Sequence, residues 1–303
     1  MPTAFPLSIS IVVVSDFEPG EKTWKDEMAI VHALANQDLG VRVPLIVVEN
    51  AASEAHPPPP TLADTYPGVR VIYHDADTSA AMKDRGVAAC ETEWVAVLEA
   101  DAIPERDWLR RLVEASAAHP EFDVITGRTH YGTESSWRRV LNLLDRSWDD
   151  CGRSGSTPYI SNNGALYRTS VLTRFPYPDA ATPFLSARLR NERILAAGHR
   201  AYFERAAVMR HAVGGADFVV QFRRHQGFAD MMMTAPPGGT WIPRLLYRRA
   251  ADDIARMWRL RRDYWRWYDW PLGLLVCCFA RIPEAIGMIE ALRVGSLSRS
   301  SYR

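Results

Sequence analysis

Glu99 and Asp101 stand one residue apart at the end of the apolar run Trp94-Val95-Ala96-Val97-Leu98. In an extended chain, side chains two positions apart point to the same side. Such a pair is a ready site for a hard divalent cation and the phosphates it accompanies. Charge at the end of an apolar run is costly unless something pairs with it. Taken alone, the same residues fit a surface turn before the helix that Pro104 can open. A second ligating type, His211, follows the short apolar stretch Ala207-Val208-Met209. On its own it reads as a strand-end histidine bonded to backbone.

The elements that must position these groups alternate. Ser8 to Val14 reads as a buried strand, Trp24 to Ala35 as a helix stopped by Gly40, and Val43 to Glu49 as a second buried strand. Consecutive prolines make His56 to Pro60 an extended loop. Val69 to Tyr73 is a third strand and Ser79 to Cys90 a helix; the Trp94 strand, a helix from Glu105 to Ala117, and Val124 to Gly127 continue the pattern. Strands separated by helices of this length imply right-handed crossovers and a mostly parallel sheet covered on both faces. Ligands of such sheets bind outside the carboxyl ends of the strands, where Glu49, Glu99 and Asp101 all fall. Beyond Gly127 the alternation breaks down. Tyr159 to Ala165 is a turn-prone crossing, Phe184 to Ala197 a helix capped by Gly198, and two short strands, Ala201 to Phe203 and Ala207 to Met209, precede His211.

The 303 residues, 47% hydrophobic and 24% charged with a formal net charge of +0, show no global attraction to nucleic acid. There is no glycine-rich phosphate loop and no internal repeat. Four cysteines, Cys277 and Cys278 adjacent, give neither a disulfide framework nor metal-finger spacing. The first residues lack the basic and apolar regions of a secretory signal, so the expected location is cytoplasmic.

Read in order, these landmarks resemble the family-2 glycosyltransferases, which have the GT-A fold. The resemblance covers Ser8 to Arg224. It is carried by Ile11 to Phe17, by Ile46-Val47-Val48-Glu49-Asn50, and by Met82 to Gly86 followed by Glu93 to Asp101. Asn162 to Arg168 and Gly198 to His211 complete it. Lys83-Asp84 stands where Arg-Asn is commoner, and Glu99 replaces the first Asp of the metal motif. The resemblance implies a GT-A-like mixed, mostly parallel sheet with helices on both faces. It also implies transfer of a sugar, with inversion, from a nucleotide-diphosphate donor to a polysaccharide, glycolipid or lipid-linked acceptor. Asp101 and His211 would hold Mn2+ or Mg2+. Ser15, Phe17, Glu49, Lys83, Asp84, Glu99 and Asn163 would contact the nucleotide sugar, and Arg223 and Arg224 would hold its diphosphate. The usual acidic pair ahead of the Gly198 helix is missing; Asp179 is the nearest acid that could serve as base, and it also suits a turn after Pro178. That departure keeps open a second reading, a glycosyltransferase-like binding or scaffold protein without turnover.

The expected division is a catalytic domain over 1–232 and a helical, Trp- and Arg-rich segment over 233–303. There Trp258, Trp265, Trp267 and Trp270 are interleaved with arginines ahead of the apolar run Pro271 to Ala280, interrupted by Arg281 and Glu284. That run reads as too short to cross a bilayer. Aromatic rings with cations suit a membrane surface, here the inner face of the cell membrane. A helical hairpin packed on the protein or on another subunit has the same composition.

Overall fold

The computed structural model describes residues 8–15, 23–76, 78–148, 150, 152–180, 182–212, 215–234 and 242–294. Phe17 lies outside them. By internal contacts the chain forms two compact units. One comprises residues 1–129, 153–177 and 190–211, the other residues 130–152, 178–189 and 212–303. The expected boundary after residue 232 therefore falls inside a helix of the second unit.

The first unit runs β1 (Ile9–Val14), α1 (Lys25–Ala35), β2 (Leu45–Asn50), α2 (Pro60–Thr65), β3 (Arg70–His74), α3 (Ser79–Ala88), β4 (Trp94–Glu99), β5 (Ala102–Pro104), α4 (Trp108–Ala118) and β6 (Val124–His130). The strands β7 (Gly155–Thr157), β8 (Ala165–Arg168) and β9 (Ala201–His211) complete a nine-stranded sheet in the order 3-2-1-4-8-6-9-5, with β7 on β9. The strands β3, β2, β1 and β4 are parallel; β8 then pairs antiparallel with β4. Because neighbouring residues face opposite sides, Ile9, Ile11 and Val13 enter one apolar cluster while Val12 and Val14 enter the other. Continuous apolar runs are what a strand buried on both faces requires. Strand order reverses between β1 and β4, where Val14 pairs with Glu99. That is the switch point at which open sheets of this kind leave a crevice.

Two glycines of the first unit set close approaches beside the site. A methyl on Gly86 would strike Val12 and Val48, so its absence lets α3 lie directly on the sheet. Gly164 turns the chain into β8 at φ 77°, and a side chain there would meet the Met209 sulfur of β9.

The second unit includes α5 (Ser136–Leu141), which continues into a π-helical turn at Asn142–Arg146, together with α8 (Ala216–Thr234), α9 (Ile242–Tyr264) and α10 (Trp270–Val294). Its core holds a buried ion cluster. Arg223, with no exposed surface, meets Asp145 at 2.7 Å, Glu284 at 3.1 Å and Asp253 at 3.5 Å, and donates to the Leu144 carbonyl at 2.8 Å. Arg281 bridges Asp253 and Glu284 at 2.7 and 3.0 Å, and Arg249 reaches Glu284 at 3.1 Å. Helices α8 and α10 approach closely because Gly227 faces the Glu284 backbone and Gly287 the Arg224 backbone.

One helical stretch, Trp267–Arg293, is long and apolar enough to cross a membrane by length and composition, with mean hydropathy 1.8. The expectation of too short a run fails because Arg281 and Glu284 do not interrupt the helix. Their charges are paired inside the unit.

Removing one member of a buried ion group leaves its partners uncompensated. Arg223→Ala is expected to lower stability by about 3–5 kcal/mol, seen as a lower urea midpoint; an unchanged midpoint would mean that the cluster does not hold these helices together.

Candidate active site

The site begins at the end of β4. Glu99 closes an apolar strand, and its charge is met from two directions. Lys83, on the buried face of α3, places its ammonium 2.5 Å from Glu99 Oε1 and also donates to the Asn162 carbonyl at 3.1 Å. Asn163 grips Glu99 twice: its Nδ2 donates to Oε2, and its Oδ1 accepts the Glu99 amide, both at 3.0 Å. Pairing of β8 with β4 puts Asn163 there, since Ala165 lies opposite Val97 and the Gly164 amide donates to the Val97 carbonyl at 2.8 Å. Burial pulls the Lys83 ammonium down, but the adjacent Glu99 carboxylate and the Tyr177 hydroxyl together hold the group above its usual range.

Asp101 and His211 meet through a ladder. In the antiparallel pair β5–β9, Ala102 faces His211. His211 Nε2 consequently lies 3.1 Å from Asp101 Oδ2. One ligand atom from each of Glu99, Asp101 and His211 falls within 4.8 Å of the others. Two carboxylate oxygens and an imidazole nitrogen at this spacing match the donor set of a divalent ion with borderline character, Mn2+ above Mg2+. The residues present therefore fit the metal.

Asp84 sits one position beyond Lys83 and accepts the Tyr177 amide at 2.9 Å. Burial raises its carboxyl to about 6, against the lowering effects of that amide, Arg190 and Lys83. Arg190, from α7 (Pro183–Ala196), is a residue that sequence reasoning passed over. It is 2% exposed, stacks 3.8 Å above the Tyr177 ring, and donates to Asn162 Oδ1 at 2.9 Å and Tyr167 Oη at 3.2 Å. An arginine at a buried helical position is the signal that would have marked it, because such a group needs partners. Asp84, Lys83 and Glu99 are thus tied through Tyr177, Arg190 and Asn162 into one polar network.

Ser15 and Glu49 are buried at the carboxyl ends of the adjacent parallel strands β1 and β2; the Ser15 amide donates to the Val48 carbonyl at 3.1 Å, and Glu49 stands opposite Tyr73. Asp179 is exposed and belongs to the second unit, in the segment ahead of α7.

The two arginines expected at the diphosphate have other partners in the fold. Arg223 cannot offer its guanidinium to a diphosphate, because it is wholly buried among the Asp145, Asp253 and Glu284 carboxylates. Arg224 is a two-pronged partner of Glu290, with Nε to Oε2 at 2.7 Å and Nη2 to Oε1. The partners of both lie far along the chain.

A carboxyl raised in the fold favours the protonated native state. Asp84 therefore adds stability below the usual carboxylate range that is lost as pH rises through about 6. Asp84→Asn is expected to raise the urea midpoint at pH 7 relative to the parent and to close that gap at pH 4. Parallel midpoint-against-pH curves would contradict the burial effect.

Residues 29–175 match the family model described as Glycosyl transferase family 2. No curated protein matches the sequence. Among solved structures, the chain is similar to the mannosyltransferase PcManGT from Pyrobaculum calidifontis, in complex with GDP-Man and Mn2+. The TM-score is 0.60 at 15% identity, over 95% of this chain and 87% of that one. At that identity the likeness concerns the fold, which in that neighbour is of the GT-A type. The matched segment spans α1 to α6 (Thr169–Arg174) and so contains the Lys83–Glu99–Asn163 knot and Asp101. By that match residues 29–175 are similar to glycosyl transferase family 2, and by its sheet the chain has the GT-A fold.

Proposed function

We propose that this protein is a metal-dependent, inverting glycosyltransferase. It would move a sugar from a nucleotide-diphosphate donor to a hydroxyl of a polysaccharide, glycolipid or lipid-linked acceptor. The observation that carries the reading is the convergence of Glu99, Asp101 and His211 on one point beside the switch in strand order. The mannosyltransferase neighbour, bound to GDP-Man and Mn2+, supports a nucleotide-sugar donor and a divalent ion.

Asp101 and His211 would hold Mn2+ or Mg2+. The ion, when bound, acts as a Lewis acid that balances charge on the departing diphosphate. Glu99, fixed by Lys83 and Asn163, keeps a defined carboxylate face toward the donor. Ser15, Glu49 and Asp84 stand at or near the sheet's carboxyl edge, where carboxylates suit the hydroxyls of a ribose or the edge of a base. Inversion needs a group that takes the proton from the acceptor hydroxyl; Asp179, the exposed carboxylate ahead of α7, is our assignment for it. With a lipid-linked acceptor the protein would work at the cytoplasmic face of a membrane, in peripheral contact through residues 241–303.

Asp101→Asn and His211→Ala are expected to reduce transfer by about 100-fold or more while leaving the parent melting temperature intact. Nucleotide diphosphate sugars with Mn2+ should raise the melting temperature of the parent by mass action, and not that of Asp101→Asn. Full transfer by Asp101→Asn would remove that residue from the mechanism. Donor uptake without transfer, over a panel of carbohydrate and lipid acceptors, would favour a binding protein that has lost turnover.

A further inference from the structure

Helix α10 is apolar on its outer side as well as its inner one. From Pro271 to Leu292 every exposed position is apolar, including Leu275 at 53%, Phe279 at 60%, Ile282 at 58% and Ile286 at 45%. Within that span its charges point the other way, and Arg293, in the last turn, is exposed. Arg281 and Glu284 belong to the buried ion cluster, and Glu290 is held by Arg224. A helix at a water-facing surface is polar outward and keeps its apolar residues for the inner side. The outer stripe repeats at three- and four-residue steps over 22 residues, roughly 33 Å of helix.

The neighbouring surface indicates what covers it. On α9 and the turn into α10, Arg244, Arg248, Arg259, Arg262 and Arg266 are exposed, against Asp252 and Asp263. Trp258, Trp267 and Tyr268 are exposed with them, Trp258 standing 6.1 Å from Trp270 at the start of α10. A second copy docked through this face about a two-fold axis would bring like charge to like. An anionic lipid surface meets both parts, acyl chains for the stripe and headgroups for the cations and amphipathic rings.

We infer that α10 lies in the plane of an anionic bilayer, its Leu275–Phe279–Ile282–Ile286 stripe sunk to the acyl boundary and Trp258, Trp267 and Tyr268 at headgroup level. The inference rests on the membrane contact proposed above and names its face and orientation. The helix lies on the bilayer instead of crossing it because its inner side is committed. To cross, it would either strip Glu284 from Arg223 and Arg249 or draw those arginines into hydrocarbon, and both are costly.

The test is co-sedimentation of the full chain with phosphatidylcholine vesicles, with and without 30 mol% phosphatidylglycerol. The parent should bind the anionic vesicles. F279E/I282E, which changes only exposed positions, should bind at least tenfold more weakly while keeping the parent melting temperature and donor-induced melting shift. R259Q/R262Q/R266Q should lose the preference for anionic lipid. A bimane on Cys278 in the stripe, with Cys90 and Cys151 changed to serine, should shift to the blue on anionic vesicles; this readout needs no charged substitution in the stripe. If the parent itself ignores anionic vesicles, the membrane contact falls, and this inference with it. If the parent binds and neither F279E/I282E nor the bimane responds, the contact stands and this face is wrong. A dimer in sedimentation velocity that F279E/I282E dissolves, with vesicle binding unchanged, would give the stripe to a second copy. Resistance of the bound parent to extraction at high salt and alkaline pH would mean that the helix crosses, overturning the in-plane orientation.

Discussion

A carboxylate at the end of a strand buried on both faces must be neutralised, or the strand's end cannot stay where it is. In the sheet unit that constraint falls on Glu99. Lys83 supplies the countercharge and Asn163 the hydrogen bonds, the one from α3 and the other from the turn into β8. Satisfying Glu99 therefore fixes how α3 lies on the sheet, where the β8 turn closes, and which way the residues after β4 point. Asp101 follows two residues later. The position of the candidate ion site is a by-product of charge balance one step upstream.

The second unit obeys the same rule with more charge and less water. Its arginines and acids pair with one another across α8, α9, α10 and the π-helical turn. Such clusters contribute little net stability relative to apolar packing, yet losing one member is expensive. Their use here is directional: they determine which side of α10 faces inward, leaving an apolar stripe outward.

Much of the first unit was legible in the chain. Runs such as Ile9–Val14 and Trp94–Leu98 have no polar side to show water, so they read as doubly covered strands. The Gly198 stop also appears, with φ 90° just beyond α7. Pairings between distant segments were not legible. Two short strands before His211 are one eleven-residue strand, because ladder contacts with β5, β6 and β7 carry it through the polar Glu204 and Arg205. Arg190 and Arg223 were opaque for a related reason. A basic residue in a helix reads as solvated or ligand-binding until its partners are known, and those of Arg223 lie from 30 to 79 positions away. The pair Asp101 and His211 was reached through resemblance to a family, since local pattern joins no residues so far apart.

The facing of Ala102 and His211 across β5 and β9 has one more outcome. Side chains on a strand alternate between two faces, so displacing β9 by one position would send the imidazole through the sheet to its opposite surface. The distance between two donors more than a hundred residues apart is thus as rigid as that between near neighbours. Evolution can lengthen the excursions between β5 and β9 freely, but an insertion or deletion inside β9 itself would part the two donors in a single event.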